Sequence, residues 1–208
     1  MKKVIIGIYR DCDFVTMISS LFGIVGIILA LKGEIYLAIF SLIMSGICDS
    51  FDGVLARRHD NSKKEMIYGC EMDSLSDIMC FGVLPTVISI CDGINMWWAY
   101  IIYALYILAG LIRLAYYNTL YHVEEDSKGY FIGIPITSVA IVYPIFWTIF
   151  RFKNLLYSNI VIPIMFLILS ILYIIRVKIK KVNTKGKIAL AILGIAFITA
   201  IILIKHVL

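Results

Sequence analysis

Apolar side chains fill seven stretches of the chain, and each stretch is long enough as a helix to cross a lipid bilayer. The stretches cover residues 14–31, 35–57, 67–91, 96–118, 133–150, 160–176 and 187–204. This pattern predicts an all-α fold, a polytopic membrane helical bundle with about six to eight transmembrane helices. Residues 1–13 combine basic side chains with a short apolar run, so we expect an N-terminal amphipathic helix on the membrane surface.

The composition supports an integral membrane protein. Of the 208 residues, 62% are hydrophobic and only 16% are charged. The mean hydropathy of +0.95 is far above that of an average soluble domain. The apolar stretches follow one another too closely to leave room for a separate soluble domain. We therefore expect one integral membrane domain over residues 1–208, in which residues 187–208 carry an extra C-terminal span.

The basic residues predict the orientation of the chain in the membrane. With the N-terminus in the cytoplasm, 14 of the 19 lysines and arginines fall in cytoplasmic segments and 4 in outer segments. Positive charge concentrates on the cytoplasmic side of membrane proteins. We therefore expect a cytoplasmic N-terminus in the cell membrane. The net charge of +5 fits basic segments beside anionic lipids, and we expect no nucleic acid partner.

Four aspartates interrupt the second and third apolar stretches. Ionisable side chains inside a bilayer are costly and almost always face the interior of a bundle. Helical spacing places the aspartates of each stretch on one face, together with small residues. The two faces carry Asp49, Asp52, Gly53 and Ala56, and Gly69, Asp73 and Asp77. Because the two helices are antiparallel neighbours, we expect these faces to meet in the cytoplasmic half of the membrane.

Four converging carboxylates need positive charge beside them, because like charges raise the pKa of one another. Hard divalent cations such as Mg²⁺ or Mn²⁺ prefer oxygen ligands, and a pair of them suits a displacement at phosphorus. The cluster therefore predicts two bound divalent ions and a phosphoryl-type transfer. Gly53 and Ala56 leave room for a nucleotide, and Arg57 can fork onto a phosphate. The carboxylates alone also leave open a divalent-cation transporter.

The same residues resemble the signature of the CDP-alcohol phosphatidyltransferase family. Residues 49–57 read D-x-x-D-G-x-x-A-R, and residues 69–77 read G-x-x-x-D-x-x-x-D. Three further segments are similar to the phosphatidylserine synthase branch in particular: residues 71–85, 113–118 and 129–140. The resemblance covers most of residues 12–145.

The resemblance implies a role for individual residues. The metal ligands would be Asp49, Asp52, Asp73 and Asp77. Asp77 would also act as the general base. Gly53 and Arg57 would contact the CDP moiety, and we expect Ala56 and Gly69 on the same substrate-binding surface. Thr16 stands where the family has a threonine that contacts the nucleotide, although the family pattern P-N-x-x-T reads C-D-F-V-T here.

Arg113 is the lone basic residue of the fourth apolar stretch. Its side chain could simply snorkel to the membrane interface. Alternatively it binds an anionic group of the acceptor alcohol, and its planar fork matches the carboxylate of serine. Asn118 would be a second polar partner. An acceptor that carries phosphate should need more than one cation within the membrane, so a single arginine favours serine.

The resemblance implies the reaction and its partners. The phosphatidyl group of CDP-diacylglycerol would pass to the hydroxyl of L-serine, with release of CMP. Glycerol 3-phosphate and inositol phosphate remain alternative acceptors for the same chemistry. We expect membrane lipids around the protein, an active site that faces the cytoplasm, and a homodimer.

Overall fold

The computed structural model is built almost wholly from helices, and it describes residues 7, 10–55, 62–123, 130–132, 134–153, 155–176 and 178–180. The helices are α1 (Asp11–Leu31), α2 (Ile35–Leu55), α3 (Lys63–Asp77), α4 (Leu84–Cys91), α5 (Trp97–Val123), α6 (Val139–Lys153) and α7 (Leu155–Ile174). A π-helical segment, Ile78–Val83, joins α3 to α4, and a 3-10 turn, Ile136–Ser138, precedes α6.

The described residues include four helical stretches that are long and apolar enough to cross a membrane. They are Cys12–Leu31, Lys63–Cys91, Trp97–Leu120 and Tyr157–Ile174. Two shorter apolar helices, Ile35–Phe51 and Ile136–Phe150, accompany them. The expected all-α membrane bundle is confirmed. The amphipathic helix expected over residues 1–13 lies mostly outside the described residues, and the span expected at residues 187–204 lies wholly outside them.

The third apolar helix begins earlier than its hydropathy predicts. Ser62 Oγ accepts a hydrogen bond from the backbone N–H of Glu65, and Glu65 Oε2 accepts one from the backbone N–H of Ser62 at 2.8 Å. This reciprocal capping box satisfies two backbone donors and starts α3 at Lys63. Asp77 therefore lies roughly 21 Å along the axis of α3 from its first residue, at 1.5 Å per residue.

The helix widens directly after Asp77. The segment Ile78–Val83 has π-helical hydrogen bonding, a rare form that is frequent at functional sites. The buried Tyr106 of α5 donates a hydrogen bond to the carbonyl oxygen of Phe81 at 2.6 Å. The wider turn changes the helical phase, so α4 does not continue the face that carries the aspartates of α3.

Small residues let the helices approach closely. A β-carbon added at Gly23 of α1 would collide with Cys80 Sγ, and one added at Gly46 of α2 would lie 2.7 Å from the β-carbon of Ala140. Such contacts between small residues are typical of helix packing in membranes, where van der Waals fit replaces the hydrophobic effect. They bring α1 against the π-helical segment and α2 against α6.

A polar and aromatic contact closes the end of the bundle away from the aspartates. Trp147 Nε1 of α6 donates a hydrogen bond to Asp92 Oδ2, just after α4, at 2.9 Å. The ring of Tyr36 meets the ring of Trp147 edge-on, with the centroids 5.3 Å apart. The indole N–H of Trp147 and the carboxylate of Asp92 thus have a hydrogen-bond partner inside the protein.

One short β-ladder is present in the described part of the chain. β1 (Tyr130–Ile132) pairs antiparallel with β2 (Lys178–Lys180), and Phe131 lies opposite Ile179. The hydropathy pattern does not predict this ladder. It ties the segment that follows α5 to the segment that follows α7.

Candidate active site

Three aspartates from two helices converge. Asp49 comes from α2, whereas Asp73 and Asp77 lie one turn apart on α3. One carboxylate oxygen from each lies within 4.8 Å of the other two. Asp77 is buried, with 7% of its surface exposed, and the other two are half-buried. Asp49 of the one predicted face is therefore together with Asp73 and Asp77 of the other.

This arrangement fits a divalent cation. The donors are all carboxylate oxygens, which hard ions such as Mg²⁺ and Mn²⁺ prefer, and they are close enough to share an ion. Three carboxylates this close repel one another unless positive charge lies between them. Asp52 lies on α2 one turn after Asp49, and its side chain falls outside the described residues.

Buried hydroxyls hold the three helices around this cluster. Ser19 of α1 shares a hydrogen bond with Ser45 of α2 at 2.9 Å. Ser20 of α1 donates to Ser76 Oγ of α3 at 2.7 Å, next to Asp77. Thr16, the predicted nucleotide contact, is buried on α1 and donates to the carbonyl oxygen of Cys12 at 3.3 Å.

Asn118 joins α5 to α3 beside the aspartates. Its side-chain oxygen accepts hydrogen bonds from Ser74 Oγ at 3.0 Å and from Cys70 Sγ at 3.4 Å. Asn118 is 9% exposed. Since Ser74 follows Asp73 directly, these contacts fix the turn of α3 that carries Asp73.

Arg113 lies in the wall of a pocket between α5 and α7. It is 9% exposed, and its Nε has no hydrogen-bond partner among the described residues. The pocket has a volume of about 210 Å³ and is also lined by Tyr117, Tyr173 and three isoleucines. The carboxylate of Asp77 is close enough to interact electrostatically with Arg113. A buried donor of this kind is costly unless an anion meets it.

Arg176 is a second cation at this pocket, and sequence reasoning missed it. It follows the end of α7, is exposed, and its guanidinium carbon lies 5.1 Å from the ring centroid of Tyr116, another lining residue. The sequence offered one signal: α5 and α7 both run toward the side expected to be cytoplasmic, so Arg113 and Arg176 fall at the same end of neighbouring helices.

A second arginine missed by sequence reasoning lies over α3. Arg10 Nε and Nη2 donate to the two carboxylate oxygens of Asp13 at 3.0 and 2.7 Å. The guanidinium also covers Gly69, because a β-carbon added there would collide with it. The contact with Asp13 is a local i,i+3 pair at the start of α1, whereas the contact with Gly69 depends on the folded arrangement of α1 and α3, and no sequence spacing points to it.

The remaining predicted residues can be placed only in part. Gly53 lies near the end of α2, and nothing is described beyond its backbone. Ala56 and Arg57 lie outside the described residues.

Comparison with known proteins identifies the class. The family model of the CDP-alcohol phosphatidyltransferases matches residues 12–177, which include the three converging aspartates, Asn118 and both arginines of the pocket. The chain belongs to this family. The resemblance seen in residues 49–77 is confirmed.

Three individual relatives are similar to this chain, and each has serine in its name. The chain is 30% identical over 194 residues to the CDP-diacylglycerol–serine O-phosphatidyltransferase of Methanocaldococcus jannaschii, which covers 93% of this chain and 84% of that protein. It is 31% identical over 161 residues to the Saccharomyces cerevisiae protein of the same name, but spans only 56% of its length. The archaetidylserine synthase of Methanothermobacter thermautotrophicus is 28% identical over 159 residues, 76% of this chain and 66% of that protein.

Proposed function

We propose that this protein transfers the phosphatidyl group of CDP-diacylglycerol to the hydroxyl of L-serine and releases CMP. The observation that carries the proposal is the convergence of Asp49, Asp73 and Asp77 beside the buried cation of Arg113. The relatives described above support it, because serine is the alcohol in each of their names.

In this proposal Asp77 is the general base. It accepts the proton of the serine hydroxyl as the serine oxygen forms a bond to the phosphorus that carries diacylglycerol. The bond from that phosphorus to the oxygen shared with CMP breaks, and CMP leaves with the bonding electrons. The position of Asp77 favours this role, since its carboxylate is buried within the cluster and is close enough to Arg113 for their charges to interact.

The metal ligands in this proposal are Asp49, Asp52, Asp73 and Asp77, which would hold two Mg²⁺ or Mn²⁺ ions. Bound there, such ions would offset the negative charge on the attacking and leaving oxygens. The serines that tie α1 to α2 and α3 keep the carboxylates together. Asn118 holds the turn of α3 in the same way.

Arg113 would receive the carboxylate of serine. Its fork can donate two parallel hydrogen bonds to a carboxylate, and its Nε lacks a partner among the described residues. Arg176 adds a second positive charge to the pocket, so the number of cations no longer separates serine from glycerol 3-phosphate or inositol phosphate. Arg176 is exposed, whereas Arg113 is buried. The preference for serine therefore rests on Arg113 and on the names of the relatives.

The remaining parts of the proposal follow the sequence. Thr16, Gly53, Ala56, Arg57 and Gly69 are proposed to bind the CDP moiety, and Asn118 to assist Arg113. We also propose that the site opens to the cytoplasm and that the N-terminus is cytoplasmic in the cell membrane. A homodimer and a single domain over residues 1–208 stay predictions.

Family membership favours the transferase over a divalent-cation transporter. The test is incubation of the purified protein with CDP-diacylglycerol and Mn²⁺ or Mg²⁺. Serine, glycerol 3-phosphate and inositol phosphate are supplied in parallel, and CMP release is measured. We expect CMP with serine and little with the other two. Release with a phosphate-bearing acceptor instead would overturn the serine assignment, and metal uptake into proteoliposomes without CMP would favour transport.

A further inference from the structure

We propose that Arg10 is a further substrate-binding residue, which donates hydrogen bonds to the diphosphate of the CDP-linked lipid. Asp13 holds it in place, and Gly69 provides the space that its guanidinium occupies. The inference rests on the proposed function, because that function requires a nucleotide diphosphate at this end of the bundle.

Asp13 fixes the position of the Arg10 side chain. Asp13 binds its guanidinium through both carboxylate oxygens, and also accepts a hydrogen bond from the Arg10 backbone N–H at 3.0 Å. The Asp13 side chain is 3% exposed and that of Arg10 14% exposed. A buried carboxylate that grips both the main chain and the side chain of one residue leaves that side chain little freedom. A donor fixed before binding loses less entropy when a ligand arrives.

The Arg10 side chain also occupies a specific place on α3. Its guanidinium lies directly on Gly69, where any larger residue would displace it. Glu65, Gly69, Asp73 and Asp77 are spaced by one helical turn each along a single face of α3. Arg10 covers the second of these positions and interacts electrostatically with Glu65. It therefore stands about 6 Å along α3 from the first aspartate of the cluster, at 1.5 Å per residue.

The Arg10 guanidinium has more hydrogen-bond donors than Asp13 uses. Asp13 engages one N–H of Nε and one of Nη2, whereas a guanidinium carries five donors. Within residues 10–55 and 62–123 no further hydrogen bond occupies the other donors, which leaves them for a second anion, and phosphate oxygens match the geometry of this fork. The hydrogen bond to Asp13 raises the pKa of Arg10 above its already high usual value, so the side chain stays charged.

Gly69 and Asp13 have specific roles beside Arg10. Asp13 stands where the family pattern has asparagine, and its bare carboxylate would repel a diphosphate. Arg10 covers both of its oxygens and presents a cation instead. Gly69 is required because Arg10 lies on it, whether or not Gly69 touches the substrate.

The test measures binding of CDP, with Mg²⁺ present, to the purified full-length protein by titration calorimetry. Arg10→Gln should weaken CDP binding about ten-fold or more, the usual effect of lost hydrogen bonds to a charged group. Arg10→Lys keeps the charge without the fork and should recover part of the affinity. Lys32→Gln removes a charge from the exposed turn after α1, at the other end of the bundle, and should leave CDP binding unchanged.

Gly69→Ala provides a second test of the proposal by the same CDP-binding measurement. If Gly69 serves to seat Arg10, alanine there should weaken CDP binding in the wild-type background. It should add little once Arg10 is glutamine, because the residue it displaces is already gone. Full additivity of the two substitutions would contradict the seating role.

The outcomes separate this proposal from the proposed function. Arg10→Gln protein that binds CDP as tightly as wild type, with serine-dependent CMP release intact, would overturn the role of Arg10 and leave the function standing. Wild-type protein that neither binds CDP nor releases CMP would overturn both. If Arg10→Gln lowers the melting temperature, the comparison is made with Arg10→Lys, and equal CDP affinity of Arg10→Lys and wild type would again refute the role.

Discussion

The buried guanidinium of Arg113 lies close enough to the carboxylate of Asp77 for their charges to interact. Arg113 belongs to the pocket between α5 and α7, and Asp77 to the carboxylate cluster of α2 and α3. The pocket therefore lies near the cluster, which supports the proposal that both belong to one site. An alcohol whose carboxylate is held by Arg113 would have its hydroxyl on the side of Asp77.

Arg113→Ala should raise the KM for serine roughly ten- to hundred-fold, the usual effect of losing hydrogen bonds between charged partners. The KM for CDP-diacylglycerol should change little, because the proposed contacts to the diphosphate lie elsewhere. The rate of CMP release is measured over a range of serine concentrations at saturating CDP-diacylglycerol, and over a range of CDP-diacylglycerol concentrations at saturating serine.

Arg113→Lys is the control for this prediction. Lysine keeps a positive charge but cannot bind a carboxylate through two parallel hydrogen bonds, so an intermediate KM for serine is expected. An equal rise in both KM values for Arg113→Ala would contradict the acceptor role.

Asn118→Ala should raise the KM for serine, because Asn118 is proposed to assist Arg113. It should also lower the stability of the protein by about 1 kcal/mol and reduce kcat. The reason is that Asn118 accepts hydrogen bonds from Ser74 and Cys70 and thereby fixes the turn of Asp73. Thermal unfolding in detergent and steady-state CMP release measure the two effects. In a double-mutant cycle with Ser74→Ala the losses should be less than additive; strict additivity would mean that the two side chains act separately.

Removal of divalent ions with a chelator should stop CMP release, and added Mg²⁺ or Mn²⁺ should restore it. Asp73→Asn should raise the metal concentration for half-maximal rate by about ten-fold or more, because one charged oxygen ligand is lost. Glu71→Gln is the matched control, since it removes an exposed carboxylate from another face of the same helix. Direct titration with Mn²⁺ should show weaker binding to Asp73→Asn than to Glu71→Gln. Equal Mn²⁺ affinities of the two variants would argue against a metal site at Asp73.

Much of the fold could be predicted from the sequence because hydropathy alone marks apolar helices. The positions where prediction fell short depend on local polar contacts. The start of α3 is set by the Ser62–Glu65 capping box within a charged segment that looks like a loop. The π-helical turn after Asp77 has no signal in the apolar run, and its Phe81 carbonyl is satisfied by Tyr106, a residue 25 positions away.

In the candidate site, too, some contacts could be predicted from the sequence and others could not. Helical spacing, together with the antiparallel pairing expected of two consecutive spans, was enough to place Asp49 near Asp73 and Asp77. Arg10 on Gly69 and Arg176 beside Arg113 join residues from helices that are distant in the sequence. Periodicity within one helix carries no information about such contacts.

The most direct test of the account is Asp77→Asn, because asparagine keeps the size of the side chain but cannot act as the base. CMP release from CDP-diacylglycerol with serine should fall by roughly two to four orders of magnitude. The circular dichroism spectrum and the melting temperature should stay close to those of the wild type. A correctly folded Asp77→Asn protein that turns over at the wild-type rate would contradict the central claim that Asp77 activates the acceptor hydroxyl.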